Sequence, residues 1–464
     1  MSKTNLLSHY YNDLLDKLNF KQAKELLTPF FWPHSSALGE NEGYHLFLFF
    51  HDKKRSVFRS PLKLIKCCFY NLLYNALIVF RTLNVALFHK HSTKIIKGTL
   101  SKETTHLFMT WVHPQDIDNF CTHKQLYIWN NILNEIETPK NQSQVLFFST
   151  FKLRPDQRNR LLEKNCLLVE PSGAAFSIMS FVAVLLTFLR TFFAFVWQSK
   201  SNALTLNYLA SSLSYRAWFS RALYTTFSRL LNQHQQPLKI FFPWEAQPEQ
   251  KALCLAANEN RHETFGYIHA SVTDRPDYLF IPRKFPDLGP KTYFVHGTSY
   301  LKLFKELMIP YDKIITIKSQ RFAPKDFSSQ KGTLFLPYSK KDTLDYLRKI
   351  SPLTQGGFLQ ITSVKPHPTL KDDIQVKNAI KKISLVKDGD NIAVAGFSTV
   401  IMEIIETGNS VIQITQDEKL IISSDVYANI EVETLGQGVQ RLSLKKENQG
   451  SYLLFSGPSL HEYI

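Results

Sequence analysis

The chain has 464 residues, which at roughly 150 residues per domain implies two or three domains. Lys and Arg outnumber Asp and Glu by 55 to 39, a formal charge of +16. That surplus favours an anionic partner: an acidic membrane surface, or a phosphorylated or acidic sugar. No Lys/Arg run long enough for a nucleic-acid arm, RNA-binding signature or zinc-finger spacing accompanies it, so a nucleic-acid partner is not expected.

The first ~40 residues have helical texture and lack the basic-then-apolar order of a secretory signal. His45–Phe50 (HLFLFF) and Val145–Thr150 (VLFFST) read as strands. Leu62–Phe88 is apolar but interrupted by Lys63, Lys66 and Arg81, the pattern of a helix lying on a membrane surface. Ala174–Trp197 is apolar except for Arg190 and approaches the ~20 residues a membrane span needs. A single span, a membrane-facing helix and a buried core helix all remain open for it. The region 174–233 is helical by pattern.

From residue 238 the texture changes. Short apolar runs alternate with helix-length segments: Lys239–Phe242, Thr264–Ile268, Thr292–Val295, Lys313–Ile317, Thr333–Leu336, Phe358–Val364, Asn391–Ala395 and Ser410–Ile414. Such alternation predicts βαβ units with parallel strands buried on both faces. The polar stretch Ser319–Lys331, containing Pro324, predicts a linker. The expected fold is α/β with two Rossmann-like domains. Residues 1–325 form the first, with a helix-rich insertion, and 332–464 the second. With 36 Phe and only 5 Met, aromatic rings must fill much of the core. The five cysteines include no CxxC pair, so a disulfide framework or thiolate metal site is not expected, which suits a reducing compartment.

Open parallel sheets bind ligands beyond the carboxyl ends of their strands, which directs attention to the residues just after each run. Lys365-Pro366-His367-Pro368 follows Phe358–Val364. The prolines restrict the backbone on both sides of His367, whose imidazole can donate to a phosphate, and Lys365 adds charge. Gly396-Phe397-Ser398-Thr399 follows Asn391–Ala395. Ser398 reads as a helix N-cap, and the helix start with the hydroxyls of Ser398 and Thr399 suits an anion. Glu403, inside that helix, has the reach to accept from ribose hydroxyls. Glu245, beside Trp244 at the end of Lys239–Phe242, is a candidate general base. His269 ends Thr264–Ile268 and either binds substrate or packs between domains. Arg321 in the linker has the length to reach a phosphate.

Read together, WE (244–245), GYxH (266–269), KPHP (365–368) and FST-xxx-E (397–403) resemble bacterial surface-polysaccharide glycosyltransferases of the GT-B type. More narrowly, they resemble the sialyltransferase-like and Kdo-transferase-like enzymes of capsule and lipopolysaccharide synthesis. The resemblance covers roughly residues 238–415. Ala270 stands where the family usually has glycine, and no Asp-Asp-Gly motif is present.

The resemblance implies a donor-binding C-terminal domain, with His367 at the donor phosphate and Ser398 and Thr399 binding it, and an acceptor-binding N-terminal domain with Glu245 as base. It further implies a nucleotide-sugar donor, CMP-linked to a sialic, legionaminic or Kdo-type sugar, and a glycan or glycolipid acceptor. The expected chemistry uses no metal and no separate cofactor. The expected site of action is the cytoplasmic side of the inner membrane, through peripheral association with its anionic surface. A UDP-sugar transferase, a CDP-glycerol transferase and a non-catalytic membrane-associated assembly subunit stay open as alternatives.

Overall fold

A computed structural model describes residues 95–464, apart from single positions, short stretches and three longer ones: 171–214 (other than Leu186 and Leu189), 270–285 and 416–427. The expected strand His45–Phe50, the Leu62–Phe88 segment and all but two residues of Ala174–Trp197 lie outside the described residues. Among the described residues no helix is long and apolar enough to cross a membrane.

The protein is mixed α/β, built on two sheets dominated by parallel strands. The first contains β1 (Ile96–Lys97), β2 (Thr104–Trp111), β3 (Gln142–Phe148), β4 (Leu167–Val169), β5 (Lys239–Pro243), β6 (Glu263–Ile268), β7 (Thr292–Val295) and β8 (Lys313–Thr316). Their spatial order is β1-β4-β3-β2-β5-β6-β7-β8, and only the β1–β4 pair is antiparallel. The chain therefore builds outward from β2 to β4, then crosses back and builds the other way from β5. The reversal opens a crevice between the carboxyl ends of β2 and β5, the usual ligand position in such sheets.

Around this sheet lie α1 (Pro114–His123), α2 (Ile132–Ile136), α3 (Pro155–Glu163), α4 (Tyr215–Asn232), α5 (Pro248–Glu259) and α6 (Ser299–Glu306). Apolar clusters cover both faces, so the strands read as nearly continuous hydrophobic runs. On one face, Phe108, Phe241, Phe265 and Phe294 stack in sequence across β2, β5, β6 and β7, with centroids 4.9, 4.6 and 5.9 Å apart. These near-parallel rings on neighbouring strands form a continuous aromatic layer on that face of the sheet.

The second sheet contains β9 (Thr333–Phe335), β10 (Ser363–Lys365), β11 (Ala393–Ala395), β12 (Val411–Ile414), β13 (Ile430–Gly436) and β14 (Val439–Leu444), in the order β10-β9-β11-β12-β14-β13. The first four are parallel, and β14 and β13 close one edge as an antiparallel hairpin. Three helices belong to it: α7 (Lys340–Gln355), α8 (Ile374–Ile380) and α9 (Thr399–Glu406). Here the reversal falls between β9 and β11. Both strands lead into helices capped by serine: the Ser339 hydroxyl accepts from Asp342 N–H, and the Ser398 hydroxyl from Val400 N–H.

The sequence places everything after 332 in one unit, but the last segment returns to the first sheet. Thr298 and Ser299 N–H donate to the carbonyls of Gly450 and Ser451, Leu454 N–H donates to His296 O at 2.5 Å, and Leu460 and Tyr463 pack by Phe294. Gly297 is required at this seam. A Cβ there would lie 2.5 Å from Ser451 O and 2.7 Å from Tyr452 backbone. One apolar cluster runs through the junction, joining Trp244, Tyr293 and Phe322 to Ile401, Ile405 and Tyr452.

Candidate functional site

The first sheet gathers a row of side chains at the carboxyl ends of β5, β6 and β7. Pro243 pairs with Tyr267, and Ile268 with Val295. Continued past the strand ends, that register sets Glu245, His269 and His296 on three adjacent strands, about 4.8 Å apart. Glu245 Oε1 lies 3.4 Å from His269 Nε2. The His269 ring stands 5.6 Å from that of Trp111, which ends β2 on the other side of the crevice. The carboxylate thus sits at the topological reversal, where the fold directs ligands.

The Glu245 backbone is held from below. Gln250, fully buried in the first turn of α5, accepts from Glu245 N–H at 2.9 Å and Gln247 N–H at 3.0 Å, and donates to Pro243 O at 2.5 Å. Its one amide fixes the chain on both sides of Glu245.

Electrostatics distinguish the members of the row. Glu245 keeps 36% of its side-chain surface, so its recess is open on one side. Desolvation by the surrounding protein still pushes its carboxyl up to about 7. The charge of Glu249 adds to the rise, and a hydrogen bond from Gln247 and the charge of Arg321 oppose it. His269 is buried, and desolvation with the nearby Arg321 charge holds it well below the usual imidazole range. His296, fully buried, is pushed down to about 3 by desolvation and Arg321. At neutral pH both imidazoles are uncharged, and within this row of three Glu245 is the group that titrates near physiological pH. His269 Nδ1 and His296 Nε2 are buried without a hydrogen-bond partner among the described residues. His296 Nδ1 lies 3.2 Å from the Tyr267 hydroxyl, whose oxygen accepts from Gln320 N–H. Arg321 thus stands beside the row, its guanidinium 4.9 Å from the Phe322 ring centre.

The second sheet places the remaining predicted residues along its own carboxyl edge. Lys365 ends β10, exposed, with Nζ 3.4 Å from Gln330 Oε1 and over the Phe335 ring at 5.6 Å. His367 follows it, half-buried, its ring 6.2 Å from that of Tyr338. Gly396 follows β11 with φ +77, the left-handed conformation that lets the chain turn sharply into α9. Its carbonyl is held from beneath by Gln413 Nε2 at 2.9 Å, and Gln413 in turn accepts from Gln440 Nε2 at 2.7 Å, all buried. Ser398 caps α9, and Thr399 begins it. β9 lies between the His367 and Ser398 loops, so their strands are about 9–10 Å apart. The two loops share one edge and flank one reversal point without being neighbours.

Glu403 has a different environment from the expected one. It is buried, and its carboxylate pairs with Lys325 Nζ at 2.6 Å, which ties α9 to the linker rather than presenting the group to a ribose.

Three of these features escape the sequence reading. Finding His296 requires the β6–β7 register. Gln250 looks like any helix glutamine until its amide is placed. Tyr338 follows a strand whose expected end, Leu336, was close to the observed one, yet an isolated tyrosine carries no motif. No family model matches this chain, and no curated protein matches it.

Proposed function

We propose that the protein is a glycosyltransferase of the GT-B type, moving a sugar from a nucleotide donor bound at the second sheet to an acceptor hydroxyl presented at Glu245. The observation that carries this reading is the position of Glu245: a carboxyl titrating near 7, at the reversal point of a parallel sheet, with its backbone clamped by Gln250. That is the placement and basicity a general base needs to deprotonate a hydroxyl at neutral pH.

In the proposed step the acceptor oxygen attacks the anomeric carbon while Glu245 takes its proton. The bond from that carbon to the donor phosphate breaks, and the nucleotide leaves with the bonding electrons. Charge building on the leaving phosphate is met by Lys365, His367, Thr399, the Ser398 hydroxyl and the positive end of the α9 dipole. His269, neutral beside Glu245, orients the carboxylate or the acceptor, and Arg321 supplies positive potential to an acidic sugar. The net charge of +16 suits an acidic glycan and an anionic membrane surface, consistent with peripheral association at the cytoplasmic face of an inner membrane. The donor favoured here is a CMP-linked acidic sugar.

The test is transfer to glycan extracts with CMP-, UDP- and CDP-linked donors, followed by mass spectrometry of the product. Activity with a CMP-linked sugar that vanishes in Glu245→Gln supports the reading. Activity only with a UDP-sugar or CDP-glycerol reassigns the donor. Full activity in Glu245→Gln removes the proposed base, and no transfer with any donor refutes the enzyme.

A further inference from the structure

Three apolar side chains around the second sheet are turned outward: Phe358, Leu385 at 52% exposure and Val386 at 39%. They belong to two segments that meet at the amino edge of that sheet. Phe358 follows the Gly356-Gly357 exit of α7, and its N–H donates to Leu353 O at 3.0 Å. Leu385 and Val386 follow α8, where the Ser351 hydroxyl of α7 donates to Lys382 O at 3.4 Å. Val386 N–H donates to Ile361 O at 2.9 Å, two residues before β10, and Phe358 is no more than about 11 Å of chain from Ile361. The exposure is not fraying. Ile383 is buried in the core of the second sheet, and a Cβ on Gly389 would lie 2.4 Å from Gln360 O. The backbone of this turn is thus fixed while Leu385 and Val386 stay in water.

The neighbouring charge is of one sign. Between Lys377 and Lys387 (KNAIKKISLVK) stand four lysines and no acid. Lys377 pairs with Asp372 at 3.0 Å, whereas Lys381, Lys382 and Lys387 are exposed and enter no ion pair among the described residues. Lys331, exposed just ahead of β9, shares the edge: its carbonyl accepts from the Thr362 hydroxyl at 3.5 Å. Against these four unpaired lysines stand Asp388 and Asp390, so the edge is net positive.

We infer that this edge docks on an anionic lipid bilayer, with Phe358, Leu385 and Val386 entering the interface and the lysines meeting lipid phosphates. The inference rests on the peripheral membrane association in the proposed function and gives it a surface, without drawing on the transfer step. Lysines alone would suit any polyanion. Outward apolar side chains beside them suit a bilayer, which offers an apolar layer beneath a charged one. The amino edge lies opposite the His367 and Ser398 loops, so docking there leaves both open to a water-soluble nucleotide.

Flotation with vesicles of phosphatidylcholine, alone or mixed with phosphatidylglycerol, tests this on the full-length protein and three variants. One is Lys381→Gln/Lys382→Gln/Lys387→Gln, the second Leu385→Ser/Val386→Ser. The third, Lys102→Gln/Lys164→Gln/Lys291→Gln, removes the same charge from exposed positions around the first sheet. A lysine near an anionic surface is worth about fivefold in partitioning, so the first variant is expected to bind mixed vesicles about 100-fold more weakly and with less salt dependence. The second is expected to bind at least about tenfold more weakly and keep the salt dependence of the parent. The third is expected to bind within about threefold of the parent. Matching thermal melts check that the variants fold. Parent-like binding by either of the first two overturns the docking surface, as does an equal loss in the third or equal binding of the parent to both vesicles. A parent that binds neither vesicle overturns the surface and the peripheral association together, while transfer from a CMP-linked donor reads the chemistry separately.

Discussion

Replacing Glu245 by Gln removes one proton-accepting group and little else, because the amide is nearly isosteric and Gln250 still holds the backbone. If Glu245 is the base, the loss in turnover should be about 10²- to 10⁴-fold, the usual worth of a positioned base. The pH dependence is the sharper test. A carboxyl titrating near 7 is only about 10% ionised at pH 6 and about 1% at pH 5, so the rate should fall roughly tenfold per unit below neutrality. A glutamate at its ordinary 4.5 would be almost fully ionised at pH 6 and give a flat profile down to about 5. His296, pushed down to about 3, stays neutral across this range and adds no limb, and burial displaces His269 in the same direction. The assay is initial-rate transfer from pH 5 to 8.5 in buffers of constant ionic strength, for the parent and Glu245→Gln. Stability carries the same signature with opposite sense. Between 4.5 and about 7 the folded state keeps a proton on Glu245 that the unfolded chain has released, so the contribution of this one group to stability should fall as pH rises through that window, against the rise contributed by the buried, neutral His269 and His296. That slope should be missing in Glu245→Gln. A flat rate profile over pH 5–8, with Glu245→Gln as active as the parent, refutes the argument from desolvation to catalysis.

Other expectations follow from the packing. Glu406 is buried and accepts from the N–H groups of Gly450, Tyr452 and Leu453 at 2.7, 2.7 and 3.2 Å, so Glu406→Ala should cost about 3 kcal/mol or more by urea denaturation, since buried donors lose their acceptor. Gly297→Ala drives a methyl into the backbone of the returning segment and should cost about 1–3 kcal/mol, with faster proteolytic trimming of the last residues as the local readout. Phe241→Ala opens the middle of the stacked rings and should cost about 3–5 kcal/mol in the same denaturation assay. Ser398→Ala should cost about 1 kcal/mol of stability through the lost cap, and should weaken CMP binding in calorimetry by more than Ser339→Ala does.

The parts of the fold legible in the sequence were those with the simplest physics. β5 to β8 are buried on both faces, so Lys239–Phe242, Thr264–Ile268, Thr292–Val295 and Lys313–Ile317 stood out as apolar runs and match the observed strands within a residue or so at either end. β2 was overlooked although it is the first strand of the βαβ series. Its TTHLFMTW carries Thr104, His106 and Thr110, polar residues that the fold buries and that break the hydrophobic pattern. β4 has three residues, too few for any periodicity. The Phe358–Val364 run was read as one strand, yet only Ser363–Lys365 pairs. Leu359 and Ile361 are buried without joining the sheet, and Phe358 is 47% exposed after the Gly356-Gly357 helix exit. The β13–β14 hairpin was missed for the opposite reason. Glu431 and Glu433 on the edge strand β13 and Arg441 on β14 beside it are exposed, a pattern that a search for continuous apolar runs passes over. The candidate sites fared according to what each required. Residues at strand ends needed only a strand boundary, whereas Gln250, Gln413 and His296 needed to be seen against their neighbours.

The helix α9 explains why two strand-end sites in separate sheets need not behave independently. Its first residues follow the Ser398 cap at the second sheet's reversal point. One turn on, Glu403 pairs with Lys325 of the linker, and three residues later Glu406 gathers the backbone of 450–453. That segment continues to Leu454, whose N–H is bonded to the carbonyl of His296 in the Glu245 row. Spacing of three places both carboxylates on one side of an eight-residue helix, and both are buried. Buried carboxylates are costly to leave unpaired, so shifts of α9 that break either contact are penalised. Any ligand that draws the Ser398 end of α9 toward itself therefore acts on a rigid element anchored to the linker and to the strand end carrying His296. The two strand ends are thereby joined through five polar contacts, from Lys325–Glu403 through the three N–H groups on Glu406 to Leu454 N–H on His296 O.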